Sequence, residues 1–174
     1  MDMRVRPLDA KTWKDFERLA LRHNGVWGGC WCMAFHPEGV GKGHTVEGNR
    51  EAKRRRVLEG KAHAALVYPD ELPRIKMRRE YEARLRALPD WRITCFFVAP
   101  DFRARGVASH ALDGALDIMK GMGGGLVESY PQDAGEARAG ASFLYNATLG
   151  LFESRGFDKV ARLGKNHWVV NKRI

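Results

Sequence analysis

Residues 93–110 read ITCFFVAPDFRARGVASH, and this stretch decides the fold. An apolar run, Ile93 to Val98, ends at Ala99-Pro100, a basic turn follows from Arg103 to Gly106, and a helical pattern begins at Val107-Ala108. The first N–H groups of a helix have no acceptor within it, and the helix dipole puts partial positive charge at the same end. A strand that feeds such a turn therefore builds a cradle for an anion. Trp91 to Val98 is apolar on both alternating faces, Ile93, Cys95 and Phe97 on one and Phe96 and Val98 on the other, which predicts a central strand covered on both sides. The helix after the turn carries Ala108, Ala111, Leu112, Ala115 and Met119 on one stripe, and Gly121 to Gly125 ends it.

Downstream, Leu126 to Ser129 reads as a strand. A polar loop from Gln132 to Gly140 leads to a helix through Leu144, Ala147 and Leu151 that stops at Gly156-Phe157. Two last strands, Lys159 to Leu163 and His167 to Asn171, turn at Gly164-Lys165-Asn166. Upstream, Arg4 to Leu8 is a short strand candidate, and Asp9 caps a helix to His23 with Trp13, Phe16, Leu19 and Ala20 at helical spacing. Asn24-Gly25 stops it. The stretch GVWGGCWCMAFHPEGVGKGH has no clean period and reads as an ordered loop with a brief strand at Trp31 to Phe35. Asn49 caps a basic helix that Gly60 ends, Ala62 to Tyr68 is a strand, and Asp70 opens a helix that reaches Leu88 before Pro89-Asp90 breaks it. Neither repeat nor linker interrupts this order, so residues 1–174 are expected to form a single α/β domain.

Composition bounds the function. Apolar residues at 44% and charged ones at 29% are ordinary for a folded globular chain. No apolar run approaches the ~20 residues of a membrane span, and Met1 to Asp9 lacks the apolar core of a signal peptide, so a cytoplasmic protein with no membrane partner is expected. Cys30, Cys32 and Cys95 cannot all pair and read as reduced thiols. The net charge of +9 is concentrated in the middle, where Lys42 to Arg86 holds 13 Lys or Arg against 7 Asp or Glu. Such a patch suits nucleic acid, an acidic surface or cofactor phosphates. Glu51, Glu59, Glu80 and Glu82 interleave with it as on an ordinary solvated helix.

The order strand, Arg-x-x-Gly-x-Ala, helix, strand, helix ending in Gly-Phe, carried here by FFVAPDFRARGVA, LVESYP and LFESRGF, resembles the GNAT acetyltransferase superfamily. The resemblance covers nearly the whole chain and is best from Trp91 to Phe157. It implies a GNAT-like mixed, mostly antiparallel central sheet flanked by helices, with acetyl-coenzyme A as co-substrate. The backbone of Phe97 and Val98 is then expected to pair with the pantetheine arm, and the N–H groups from Arg105 through Gly106, Val107 and Ala108 to Ser109 to hold the pyrophosphate. Gly106 would let the backbone approach the phosphate, and Arg103 and Arg105 would add charge or remain solvated.

Two departures accompany the resemblance. Relatives often carry a tyrosine four residues before the glycine of the Gly-Phe pair, where its hydroxyl protonates the departing thiolate; here Phe152 stands there. Tyr145, seven residues earlier and two turns along the same expected helix face, is a candidate substitute acid or else simply packs, with Tyr130 at the end of its strand a weaker candidate. Strand three of the family's meander is missing or displaced, since Pro69 and a helix follow Tyr68. Either that partner is lost, with the segment around Trp31 or the helix at 70–88 covering the gap, or it lies outside this sequence.

The implied chemistry is N-acetylation of a primary amine on a small molecule or peptide, by direct attack in a ternary complex. An alkylamine with a pKa of about 10.4 arrives protonated and needs a base. Glu128, at the end of its strand, is the candidate base, or else a strand-end carboxylate paired with an arginine. The oxyanion would rest on a strand N–H near Val98. Trp31, Phe35 and His36, in the aromatic loop Trp27 to His36, are expected to line the acceptor pocket. Cys30 and Cys32 with His36 and His44 match structural zinc spacing poorly, so no metal is expected; a cysteine nucleophile is a further alternative to direct attack. A monomer or homodimer is expected. The rival readings are a basic nucleic-acid-binding protein and a coenzyme A-binding module without catalysis. No nucleic-acid recognition motif supports the first, so no specific nucleic acid is expected as partner.

Overall fold

The computed structural model describes residues 6–26, 28–40, 44–62, 66–67, 78–84, 88–133 and 145–174. Its centre is a five-stranded sheet in the order β1-β2-β3-β5-β4. The strands are β1 (Leu66–Val67), β2 (Trp91–Ile93), β3 (Leu126–Ser129), β4 (Asp158–Leu163) and β5 (His167–Arg173). Only β2 and β3 are parallel; every other neighbouring pair is antiparallel. The helices are α1 (Trp13–Arg22), α2 (Val46–Leu58), α3 (Arg78–Arg84), α4 (Val107–Gly121) and α5 (Leu149–Glu153). The expected mixed, mostly antiparallel sheet flanked by helices is what forms. None of the described helices is long and apolar enough to cross a membrane.

The sheet has one apolar face and one mixed face, and strand alternation makes both. Trp91, Ile93, Val127 and Val170 pack with Leu112, Leu116 and Met119 of α4 and with Phe152 and Phe157 around α5. On the other face Arg92 and Glu128 lie opposite each other in register, near Tyr81, Tyr130, Leu163 and Val169. A separate cluster of Leu8, Trp13, Ala20, Val26, Trp31, Met33 and Val57 joins α1, α2 and the aromatic loop, and Phe97 packs against it.

Several expectations shift. The ladder of β2 stops at Ile93, so the strand is shorter than Trp91 to Val98. With the ladder gone the alternation slips, and Ile93 and Phe96 share the apolar core whereas Phe97 faces the N-terminal cluster. Trp31 to Phe35 forms turns and no strand. The cap of α2 is Thr45, whose Oγ1 accepts the Gly48 N–H at 2.9 Å; Asn49 lies inside the helix, buried, its Nδ2 donating to the Gly29 carbonyl at 2.9 Å. Asp9 accepts the N–H groups of Lys11 and Thr12 just ahead of α1, and Thr12 takes the cap position. Strand β1 pairs directly with β2, Leu66 opposite Ile93 and Val67 opposite Arg92, so among the described residues no strand intervenes between them. Of the strand expected at Arg4 to Leu8, residues 6–8 form no strand and the rest lies outside the described residues, as do the start of the 70–88 helix and the loop beyond Asp133.

Candidate functional site

Strands β2 and β3 run parallel and then part. Their register ends at Ile93 opposite Ser129, where the Ser129 hydroxyl donates to the Ile93 carbonyl at 2.9 Å. Beyond that point the segment Tyr145–Thr148 lies between the two departing chains. The Phe96 N–H donates to the Tyr145 carbonyl at 2.6 Å, Asn146 Nδ2 donates to the Tyr130 carbonyl at 3.1 Å, and the Gln132 N–H donates to the Ala147 carbonyl at 3.2 Å. The wedge between two diverging parallel strands is thus a built feature, bridged at its apex by Tyr145 and Asn146.

The basic turn follows in the chain from the β2 side of this wedge. Pro100–Phe102 forms one turn of 3₁₀ helix, Arg103 Nε donates back to the Val98 carbonyl at 3.1 Å, and Ala104 (φ 55°) and Gly106 (φ 75°) both take left-handed backbone. Gly106 is the residue immediately before α4, and the His110 N–H donates to its carbonyl at 3.0 Å as the first helical bond. The N–H groups of Val107, Ala108 and Ser109 head the helix and have no acceptor within it. A Cβ built on Gly106 would meet nothing within 4 Å, so glycine is required there by its backbone conformation, and the space in front of the turn is open. Arg103, Arg105 and Gly106 are exposed, whereas Val107, Ala108 and Ser109 are half-buried. The turn and helix end therefore offer one outward-facing set of donors and positive charge to a phosphate-sized anion.

Tyr145 does not lie on a helix face. Helix α5 begins only at Leu149, Thr148 is its cap, and Ala147 (φ 59°) turns the chain just before it. Tyr145 reaches the wedge through that turn instead, half-buried, with its ring 5.8 Å from that of Phe35. Burial, reinforced by Cys95, raises its pKa, which keeps the hydroxyl protonated at neutral pH. Phe152 is fully buried and stands edge-on to both Phe96 (5.9 Å) and Phe157 (5.0 Å). Its slot is apolar on both sides, which suits a ring without a hydroxyl.

Glu128 is 2% exposed, and its Oε1 accepts three hydrogen bonds: from Tyr130 Oη at 2.6 Å, Tyr81 Oη at 2.9 Å and Arg92 Nε at 3.2 Å. Arg92 Nη2 also donates to Tyr81 Oη at 2.7 Å, closing the network, while Nη1 has no partner among the described residues. Burial and the Glu128 charge push Tyr81 up to about 12 and Tyr130 higher still, so both phenols stay neutral donors. The carboxylate thus sits under the sheet as one half of a buried ion pair. Of the two sequence readings of Glu128, the one paired with an arginine has its partner in Arg92.

The aromatic loop is clamped to α2. Asn49 holds Gly29, Arg56 Nε donates to both Glu38 oxygens at 3.0 and 3.2 Å, and Lys53 Nζ lies 3.1 Å from His36 Nε2. Trp31 and His36 are fully enclosed by this packing, so only Phe35 of the three expected pocket residues is placed toward the wedge. Trp27 lies outside the described residues. Helix α2 is rich in Lys and Arg, yet Lys53 and Arg56 lie on its buried face with Asn49 and Val57, so these two charges belong neither to a solvated face nor to an open basic patch. Among the described residues no group of three or more His, Cys, Asp or Glu side chains converges on a metal position.

Compared with family models, residues 64–157, just over half of the chain, match the one described as the acetyltransferase (GNAT) family. No curated protein matches the chain.

Proposed function

The chain belongs to the GNAT acetyltransferase family, whose chemistry is acetyl transfer, and from that premise we propose that it moves an acetyl group from acetyl-coenzyme A to a primary amine by direct attack. One observation carries this reading: the chain leaves the end of the parallel β2–β3 ladder and runs into a left-handed glycine turn at the head of a 15-residue helix. The absence of any atom within 4 Å of a Cβ built on Gly106 supports the reading that a phosphate approaches the backbone there. Bound there, the co-substrate supplies an acyl group already activated as a thioester.

The protein's part is to bind, to orient and to move protons. The N–H groups from Arg105 to Ser109 would hold the pyrophosphate, with Arg103 and Arg105 adding charge from the exposed rim. Phe97 and Val98, which lie beyond the sheet ladder, would align the pantetheine arm along the wedge. An N–H near Val98 would face the oxygen on which charge builds. Tyr145, neutral and next to the strand segment, would give its proton to the departing sulfur, and its contact with Phe35 makes that pair the acceptor side of the wedge. Trp31 and His36 support this wall from inside the loop. Glu128 is read here as a positioning carboxylate for Arg92, Tyr81 and Tyr130, so a base other than Glu128, or water, takes the amine proton.

The test is thiol release from acetyl-coenzyme A against polyamines, aminoglycosides, amino acids and short peptides, with thermal shift as the binding control. Co-substrate at about a hundred times its Kd stabilises a binding protein by about 2.7 kcal/mol. No shift would sink the reading, and binding without turnover for any acceptor would favour a module without catalysis. Tyr145→Phe is expected to cut kcat by about 10²-fold while leaving the thermal shift intact. An unchanged kcat would remove Tyr145 from the mechanism.

A further inference from the structure

Cys32, in the loop clamped to α2, and Cys95, in the segment between β2 and the basic turn, are brought together where Phe97 packs against the cluster that holds Trp31 and Met33, and hydrogen bonding from Cys95 favours the Cys32 thiolate. Lys53 stands beside them, 4% exposed, with His36 Nε2 at 3.1 Å and no carboxylate partner among the described residues; Glu38, the acid of this loop, is taken by Arg56. The charged groups facing the pair are therefore Lys53, whose pKa burial lowers against the opposing pull of the three neighbouring thiols, and, further out, Arg56, with neutral His36, the Cys30 thiol and the Tyr145 hydroxyl completing the surroundings. A buried ammonium without a carboxylate is costly, and a thiolate is the anion at hand.

We propose that Cys32 and Cys95 form a peroxide-sensitive thiol pair, with Cys32 as the attacking thiolate stabilised by Lys53 and Cys95 as the resolving thiol. The placement of the three cysteines assigns the roles. Cys32 is half-buried as a residue, whereas Cys95 is buried. The hydrogen bond from Cys95, with the Lys53 charge, draws the Cys32 thiol down to about 7, while burial pushes the neighbouring Cys30 thiol up. At neutral pH Cys32 thus carries much more thiolate than Cys30.

The oxidant is a hydroperoxide, taken here as hydrogen peroxide. The Cys32 sulfur attacks one peroxide oxygen, the O–O bond breaks, and the departing hydroxide takes a proton to leave as water, giving a sulfenic acid. The Cys95 sulfur then attacks the Cys32 sulfur and the S–O bond breaks. The Cys95 proton leaves with that oxygen as a second water. Two thiols lose two electrons and the peroxide gains them. The resulting disulfide ties the aromatic loop to the strand segment that leads into the basic turn.

The experiment treats the full chain with stoichiometric hydrogen peroxide, alkylates the remaining thiols after denaturation and maps peptides by mass. The expected product is one intramolecular Cys32–Cys95 cross-link, reversed by dithiothreitol, with Cys30 alkylated. In Cys95→Ser the reaction should stop at the sulfenic acid, trapped on Cys32 by dimedone. Lys53→Met should slow peroxide consumption about tenfold at pH 7, as the thiolate fraction falls. If that variant does not fold, the wild-type alkylation rate of Cys32 serves, with a midpoint near pH 7 in place of the ~8.5 of a free thiol. A disulfide that includes Cys30, a disulfide between chains, thiols that survive peroxide doses sufficient for free cysteine, or a stoichiometric zinc ion shielding the thiols would each overturn the proposal. None of these readouts depends on acetyl transfer.

Discussion

At the scale of single residues, the most consequential group is Glu128. Its one oxygen serves Arg92, Tyr81 and Tyr130 at once, in a site closed to water. Removing one partner of a buried ion pair strands the other, so Glu128→Ala is expected to cost about 3 to 5 kcal/mol in urea unfolding. Glu128→Gln keeps the size and one acceptor but loses the charge, and should cost less. A catalytic base would behave otherwise: Glu128→Gln would then keep the wild-type unfolding midpoint and lose turnover with an altered pH profile. Phe152 follows similar logic with opposite polarity. Phe152 lies between the rings of Phe96 and Phe157, and the proton donor proposed in its stead is Tyr145, whose carbonyl accepts the Phe96 N–H.

At the scale of elements, the turn before α4 joins backbone conformation to binding. Gly106 sits at φ 75° with open space where a side chain would be. Gly106→Ala is therefore a strain test without a clash, expected to cost about 1 to 2 kcal/mol of stability. It should also weaken the thermal shift given by acetyl-coenzyme A, because relaxing the strain tilts the N–H groups off the anion. An intact shift in a destabilised variant would separate the glycine's structural role from binding. This element was legible in the sequence because glycine, arginine and the helix start occur in one line. The β4–β5 hairpin was legible for the same kind of reason, with alternation on both sides of Gly164. Elsewhere the signals were ambiguous. Asn49 has the residue type of a cap but spends its amide on Gly29, twenty positions away in the chain. The start of α5 was misplaced because an alanine, Ala147, takes the left-handed turn that sequence reading reserves for glycine or asparagine. The buried face of α2 was hidden because Lys and Arg are almost never enclosed unless paired, and their partners, His36 and Glu38, lie in a loop with no period.

At the scale of the molecule, that same loop-helix contact makes stability depend on pH. His36 is fully buried, and burial, with the charges of Lys53 and Arg56, pulls its pKa from the ordinary 6.5 down to about 2. In the unfolded chain His36 takes up a proton below pH 6.5, while in the folded protein it refuses one until far lower pH. The unfolded state then binds the extra proton, so the stability that neutral His36 permits is fully present above pH 6.5 and is lost as pH falls below it. One such proton corresponds to a slope of about 1.4 kcal/mol for each pH unit. Between pH 6.5 and 5 ordinary carboxylates stay mostly ionised, so histidines as a class dominate this window, and the comparison of wild type with a His36 variant isolates His36 among the six in the chain. Urea unfolding at half-unit steps across it should show the fall in wild type. In His36→Gln, which keeps a polar group beside Lys53 but cannot take up a proton, the curve should be nearly flat over the same window, from a lower starting stability. A wild-type curve as flat as that of the variant would mean that His36 is not held neutral, and that the loop leaves α2 more readily than its three clamps at Gly29, His36 and Glu38 imply.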